Sequence, residues 1–154
     1  SVIQIRGMQG SVSGKNLSIS NQSLSVIWNG WEIGSSTLNV QKEDDFTKKT
    51  LKGQTIEFSY NFGLMTFGVG QMNLKPSGKF TDKVNSVDWE PQKSEGNFYF
   101  GMMRYKIGFM EALIGYRRGT YKFSEFKQPS SESTLSTPLE GSVGLITIGI
   151  GVEF

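Results

Sequence analysis

Apolar and polar residues alternate with a period of two along much of this chain, and turn signals interrupt the alternation at intervals. The terminal run Ser142–Phe154 shows it most plainly. Ile146, Ile148, Ile150, Val152 and Phe154 share one parity, and Thr147, Gly149, Gly151 and Glu153 share the other. The same reading predicts seven earlier strands, at roughly Val2–Val12, Leu17–Asn29, Trp31–Val40, Gln54–Tyr60, Leu64–Leu74, Asn97–Tyr105 and Phe109–Phe123. The connections after the second, fourth and sixth strands are short ("NG", "NFG", "KIG"), and Asn-Gly is a strong hairpin signal. Those after the third, fifth and seventh are long and polar, and they hold Pro76, Pro91, Pro129 and Pro138, where no ladder bond is lost. The connection near Gly14–Asn16 reads as either short or long.

Two hairpins, "SYNFGLMTFGVG" and "RYKIGFMEALIG", share a spacing that helps to fix the facing of their strands. One face then carries Ile56, Phe58, Tyr60, Met65, Phe67, Val69, Ala112, Ile114 and Tyr116. The other carries small residues and seven charges: Arg6, Glu32, Glu57, Arg104, Glu111, Arg117 and Glu153. The stretch Asn97–Tyr105 fits either facing, because "FYFGMM" is apolar on both sides. In a soluble β-protein the charged face would be the core, and burying unpaired charge costs several kcal/mol per ion. With lipid outside, the conflict disappears: the apolar face meets hydrocarbon and the charges pair within. The expected fold class is all-β, an antiparallel eight-stranded transmembrane up-and-down β-barrel. Closure leaves no unpaired sheet edge in hydrocarbon. Short turns at one end and long loops at the other suit such a barrel. Trp28, Trp31, Tyr60, Phe62, Tyr105, Phe109 and Phe154 would form a lower aromatic girdle, with Tyr99 and Tyr116 in an upper one. No charge is read on the lipid face of the well-defined strands.

Composition adds limits. The 154 residues suit one domain, 1–154, with no periplasmic domain expected. The mean hydropathy of −0.30 does not exclude a membrane barrel, whose alternation keeps the average low. Cysteine and histidine are absent, which excludes disulfides and thiolate metal sites. A net charge of +2 argues against nucleic acid. The start at Ser1 reads as a mature chain whose signal peptide has been removed.

The terminal "LITIGIGVEF" resembles the C-terminal signature of small bacterial outer-membrane β-barrel proteins, of the OmpX/Ail or OmpA-transmembrane type. The resemblance implies that Ile146, Ile148, Ile150, Val152 and Phe154 are read by the barrel assembly machinery. It also implies an outer-membrane location, with membrane lipid and lipopolysaccharide as surroundings. The barrel enzymes of similar size use an active-site histidine, which this chain lacks, so no enzymatic activity and no cofactor or metal is expected. Glu57 and Glu111 are read as ion-pair partners of Arg6, Arg104 or Arg117 rather than as an acid–base pair. A lumen filled by such pairs leaves at most a narrow channel. The expected role is therefore binding, adhesion or envelope integrity through the extracellular loops of a monomer, with a narrow channel or a subunit of an envelope complex as alternatives. Lys48, Lys49, Lys52 and Trp89 are the loop contact candidates; the lysines read more readily as solubilising charge on an exposed loop, and Trp89 equally as a packing group.

Overall fold

The computed structural model describes residues 3–129, 131, 133–135 and 137–154. Val2, which opens the first predicted strand, and Ser130, Glu132 and Ser136 of the last predicted loop lie outside them. Among the described residues twelve strands are formed: β1 (Ile3–Gly14), β2 (Leu17–Trp28), β3 (Trp31–Glu43), β4 (Thr47–Phe62), β5 (Met65–Met72), β6 (Ser77–Asp82), β7 (Val87–Trp89), β8 (Lys93–Ile107), β9 (Met110–Ser124), β10 (Phe126–Lys127), β11 (Thr134–Leu135) and β12 (Leu139–Glu153). Eight of them, β1–β5, β8, β9 and β12, join antiparallel neighbours in a closed ring, which the β3–β4 pairing completes.

The register sets the geometry of the ring. Stepping across paired residues from Ile5 through Val26, Ile33, Phe58, Val69, Tyr99 and Arg118 leads to Gly144. The β12 residue that closes on Ile5 is instead Val152, eight places further along. An eight-strand ring with this offset has strands tilted by about 36° and an interior that side chains can fill. Three tight turns, Asn29–Gly30, Gly63–Leu64 and Gly108–Phe109, close its lower end. Gly63 and Gly108 have φ of 62° and 63°, which favours glycine there. At the upper end the first connection is also tight, at Lys15–Asn16.

The lower exterior is apolar all round. Leu24, Val26, Trp28, Ile33, Phe58, Phe67, Tyr105, Ile114, Ile148 and Ile150 are among its exposed side chains. On β12 the band runs from Phe154 up to Ile146; at a rise of about 3.3 Å per residue and this tilt it is roughly 21 Å tall, near the 25 Å of a transmembrane barrel. Soluble monomers rarely expose apolar patches beyond a few hundred Å². On β8, Tyr99 and Met103 point outward while Phe98, Phe100 and Met102 are buried, which resolves the ambiguous facing of that strand.

A belt of polar residues closes the band above. Once the tilt is taken into account, Gln9, Gln22, Thr37, Gln54, Gln71, Asn97, Arg118 and Gly144, one from each strand of the ring, lie within about 8 Å of one height. Gln9, Gln22, Thr37 and Gln54 are direct partners across four strands, and Gln71 faces Asn97. Arg118 has the outward parity of Ile114 and Tyr116, so the expectation of an outer face free of charge is corrected at this height. The charge sits among the polar residues of the belt and does not interrupt the apolar band below it.

Above the belt the alternation changes sides. Leu38, Val40, Leu51, Phe123, Val143 and Leu145 point inward into an apolar core, while Ser18, Ser20, Gln41, Lys48, Thr50 and Lys52 line the outside. The upper half of the barrel is thus built like a soluble β-barrel. This corrects the reading of long loops. The predicted loop between Val40 and Gln54 is mostly strand, with a turn only at Asp44–Phe46, and Lys48, Lys49 and Lys52 are strand residues of β4. The second predicted loop contains β6 and β7. Trp89 is not a free loop residue: it lies opposite Phe80, and both pack on the upper core. In the third, fully buried Phe126 of β10 lies 5.5 Å from the Phe80 ring; β6 extends the wall beside β4, and Phe80, Trp89, Phe126 and Leu135 join the upper core. Burial of Leu51, Phe80 and Phe126 favours ordered strands over solvated loops.

Candidate functional site

The lumen holds two layers of ion pairs. In the lower one, buried Arg6 donates through Nη1 to Glu32 (2.9 Å), to Asn61 Oδ1 (2.6 Å) and to Thr66 Oγ1 (3.1 Å). Its Nε and Nη2 face the two carboxylate oxygens of Glu111. Arg104 Nη1 lies 3.7 Å from Glu111, and Arg104 Nε donates to the carbonyl of Gly63 at 3.0 Å. Ser25 and Asn61 donate to Glu32. In the upper layer Arg117 pairs with Glu57, which also accepts from Ser36 (3.0 Å) and Thr55 (3.3 Å). The Arg117 guanidinium lies 4.7 Å from the Phe100 ring centroid, a cation–π contact.

Arg6, Arg104 and Arg117 thus balance Glu32, Glu57 and Glu111. Glu32 and Glu57 each accept several hydrogen bonds, and Glu111 accepts two, both from Arg6; such bonding is the condition for tolerating buried charge. Arg104 and Glu153 differ from the rest. They are half-buried at the lower mouth, where Glu153 accepts from Gln4 at 3.0 Å and meets Lys106 at 2.7 Å. The lumenal glycines do not open a path, because neighbours fill their space. A Cβ on Gly151 would run into the Glu111 carboxylate, and one on Gly68 into the Phe100 ring. A void beside Met8, Glu32, Glu57 and Arg117 measures about 10 Å³, too small to pass a solute. The apolar core lies above it.

The upper rim carries features that the sequence reading missed. Phe46 and Val84 are two-thirds exposed on adjacent turns, joined by the Lys83 amide donating to the Phe46 carbonyl at 2.9 Å and by Lys83 Nζ to Glu43 at 2.7 Å. Their signal was faint, one large apolar residue within each polar turn. Asp44 accepts from the backbone amides of Phe46 and Thr47, which hold its carboxyl below the usual range. Asp82 is held low mainly by Asn85, through side chain and backbone, and also by the Val84 amide. A depressed carboxyl pKa stabilises the turn above the ordinary carboxylate pKa, and this is lost as pH falls through the folded value. The protection of the Phe46 and Val84 amides against exchange, relative to the intrinsic rate at each pH, is therefore expected to be unchanged from neutral pH into the ordinary carboxylate range. Below it the protection should drop, beyond the intrinsic pH dependence of exchange.

A closed eight-strand ring, an apolar outer band bounded by a polar belt, and a charge-balanced lumen define the fold of a small outer-membrane β-barrel. No family model and no curated protein sequence matches the chain. Among solved structures, it is similar to the crystal structure of Neisserial surface protein A (NspA), with a TM-score of 0.56 and 14% identity, over 99% of this chain and 96% of that one. At that identity the likeness is one of fold.

Proposed function

We propose that this chain is an integral protein of a bacterial outer membrane that neither catalyses nor conducts, and that it works by binding at its extracellular end. The observation that carries this reading is the filled interior: two ion-pair layers, then an apolar core. Such an interior favours a solid support for its rim over a conduit. On this rim the contact residues are Phe46 and Val84, which stand clear of the upper core, rather than Trp89, which is part of it. A few apolar anchors carry much of the energy in most interfaces. The terminal run Ile146–Phe154 is assigned to recognition by the assembly machinery, since its outward residues alternate without interruption up to the belt.

In planar bilayers the refolded barrel is expected to give no stable conductance steps. Cells that display it should gain surface binding, and Phe46→Ser with Val84→Ser should remove that gain without changing surface levels. Reproducible conductance, with the double substitution silent in every binding assay, would put transport in place of binding.

A further inference from the structure

Above the polar belt the outer wall differs in charge from one side to the other. Across β1–β3 its outward residues include Ser11, Ser18, Ser20, Asn39 and Gln41, all uncharged. Across β8, β9 and β12 charges of both signs are matched: Lys93 lies 2.9 Å from Glu95, and Lys122 stands opposite both Glu95 and Glu140. Across β4 and β6 stand Lys48, Lys52 and Lys79, none in an ion pair among the described residues. The acids beside them are engaged elsewhere. Glu43, opposite Lys48, is held by Lys83, and Asp88 accepts from Thr81 at 2.7 Å.

The register interleaves these lysines with hydroxyls. Lys52 faces Ser77, Thr50 faces Lys79, and Lys48 faces Thr81. Successive lysines therefore alternate between the two strands on a diagonal of about 7–8 Å. Each has a hydroxyl at its side; that of Thr81 is given to Asp88, which leaves Thr50 beside Lys79 and Ser77 beside Lys52. A groove of about 310 Å³ runs between Lys48, Thr50, Gly78, Lys79 and Thr81. Lys52 is the first outward position above Gln54, so the three lysines rise from roughly 5 to 16 Å above the belt. The headgroup layer extends about 5–7 Å beyond the hydrocarbon, so Lys52 lies at its level, while Lys79 and Lys48 start above it and reach down toward it through their long side chains.

We propose that Lys48, Lys52 and Lys79, with Thr50, form a binding site for the phosphate group of an outer-leaflet lipid headgroup. The site rests on the membrane placement proposed above, and its test keeps the two apart. The full chain is refolded into phosphatidylcholine vesicles, and the motionally restricted fraction of spin-labelled phosphatidic acid is compared with that of spin-labelled phosphatidylcholine. The wild type should prefer phosphatidic acid by at least about threefold, as three cations near the surface allow. Lys48→Gln, Lys52→Gln and Lys79→Gln together should bring the ratio close to one. Lys93→Gln with Lys122→Gln should leave it unchanged. Heat-dependent gel mobility confirms folding of each variant, and Lys79→Gln alone, expected to lower the ratio partly, serves if the triple variant misfolds. Equal association of the two lipids with the wild type, or an unchanged preference in the triple variant, would overturn the site. Loss of the preference in inorganic phosphate, but not in chloride of equal ionic strength, would assign it to free phosphate instead. Absence of any restricted lipid would overturn the membrane placement as well.

Discussion

Replacing Arg6 with Ala is expected to cost about 3–5 kcal/mol of barrel stability, because it strands two buried carboxylates in the lumen. Arg6 is 1% exposed and is the common partner of Glu32 and Glu111. Without it, Glu32 keeps only neutral donors, and Glu111 keeps only the more distant Arg104. The loss should be largely recovered when Glu32→Gln and Glu111→Gln accompany Arg6→Met, since replacing a whole buried ion group with neutral side chains of similar volume is often close to neutral. Reversible urea unfolding in lipid vesicles, followed by tryptophan fluorescence, measures both. A loss below about 1 kcal/mol for Arg6→Ala would mean that the lumen is hydrated enough to solvate the carboxylates.

Phe123→Ala should be as costly, about 3–5 kcal/mol, although Phe123 lies above the outer band. Its ring is fully buried in the upper core, beside Tyr121 at 6.2 Å between centroids. Removing it leaves a cavity that the surrounding strands cannot collapse to fill. Phe58→Ala, on the outer band, should cost clearly less, because lipid chains close over the gap. The same unfolding experiment reads the difference. Equal losses at the two positions would argue against two differently solvated halves.

The lower half of this architecture was legible in the sequence; in the upper half the strands near Leu17, Val40, Phe123 and Ser142 were legible too, but the change of facing and the strands within the polar stretches were not. Below the belt, large apolar residues such as Ile56, Phe58 and Tyr60 alternate with Glu57 and Ser59, a contrast strong enough to fix both strand and facing. The lumenal group of Arg6, Glu32, Glu57, Glu111 and Arg117 follows from that facing alone. Above the belt, the outward residues of β4 become Lys48, Thr50 and Lys52, and the inward ones Lys49, Leu51 and Gly53. Alternation survives, but few of its apolar members are large, so "TKKTLKG" reads as a polar loop. Its strand character comes from partners distant in the chain: Leu51 is buried in the upper core with Leu38, Val40 and Met72, and Lys49 lies over the Phe80 ring at 4.8 Å. The facing of Phe98 and Phe100 was likewise set at a distance, by Gly119 and Gly68, whose missing side chains make room for these rings. The change of side between Gln54 and Leu51 is itself written in the sequence, and it marks where the surroundings change from lipid to water.

The outward positions of β4 cross that boundary in a single strand, so they test the central claim most directly. The chain has no cysteine, and one spin label can be placed in turn at Lys48, Thr50, Lys52, Gln54, Ile56, Phe58 and Tyr60 through single cysteine substitutions. In vesicles, labels at Ile56 and Phe58 should collide with oxygen in preference to a water-soluble nickel complex. Labels at Lys52, Thr50 and Lys48 should show the reverse, with the crossover at Gln54. If all seven positions favour the nickel complex equally, the outer band does not lie in lipid, and the chain is not a membrane barrel.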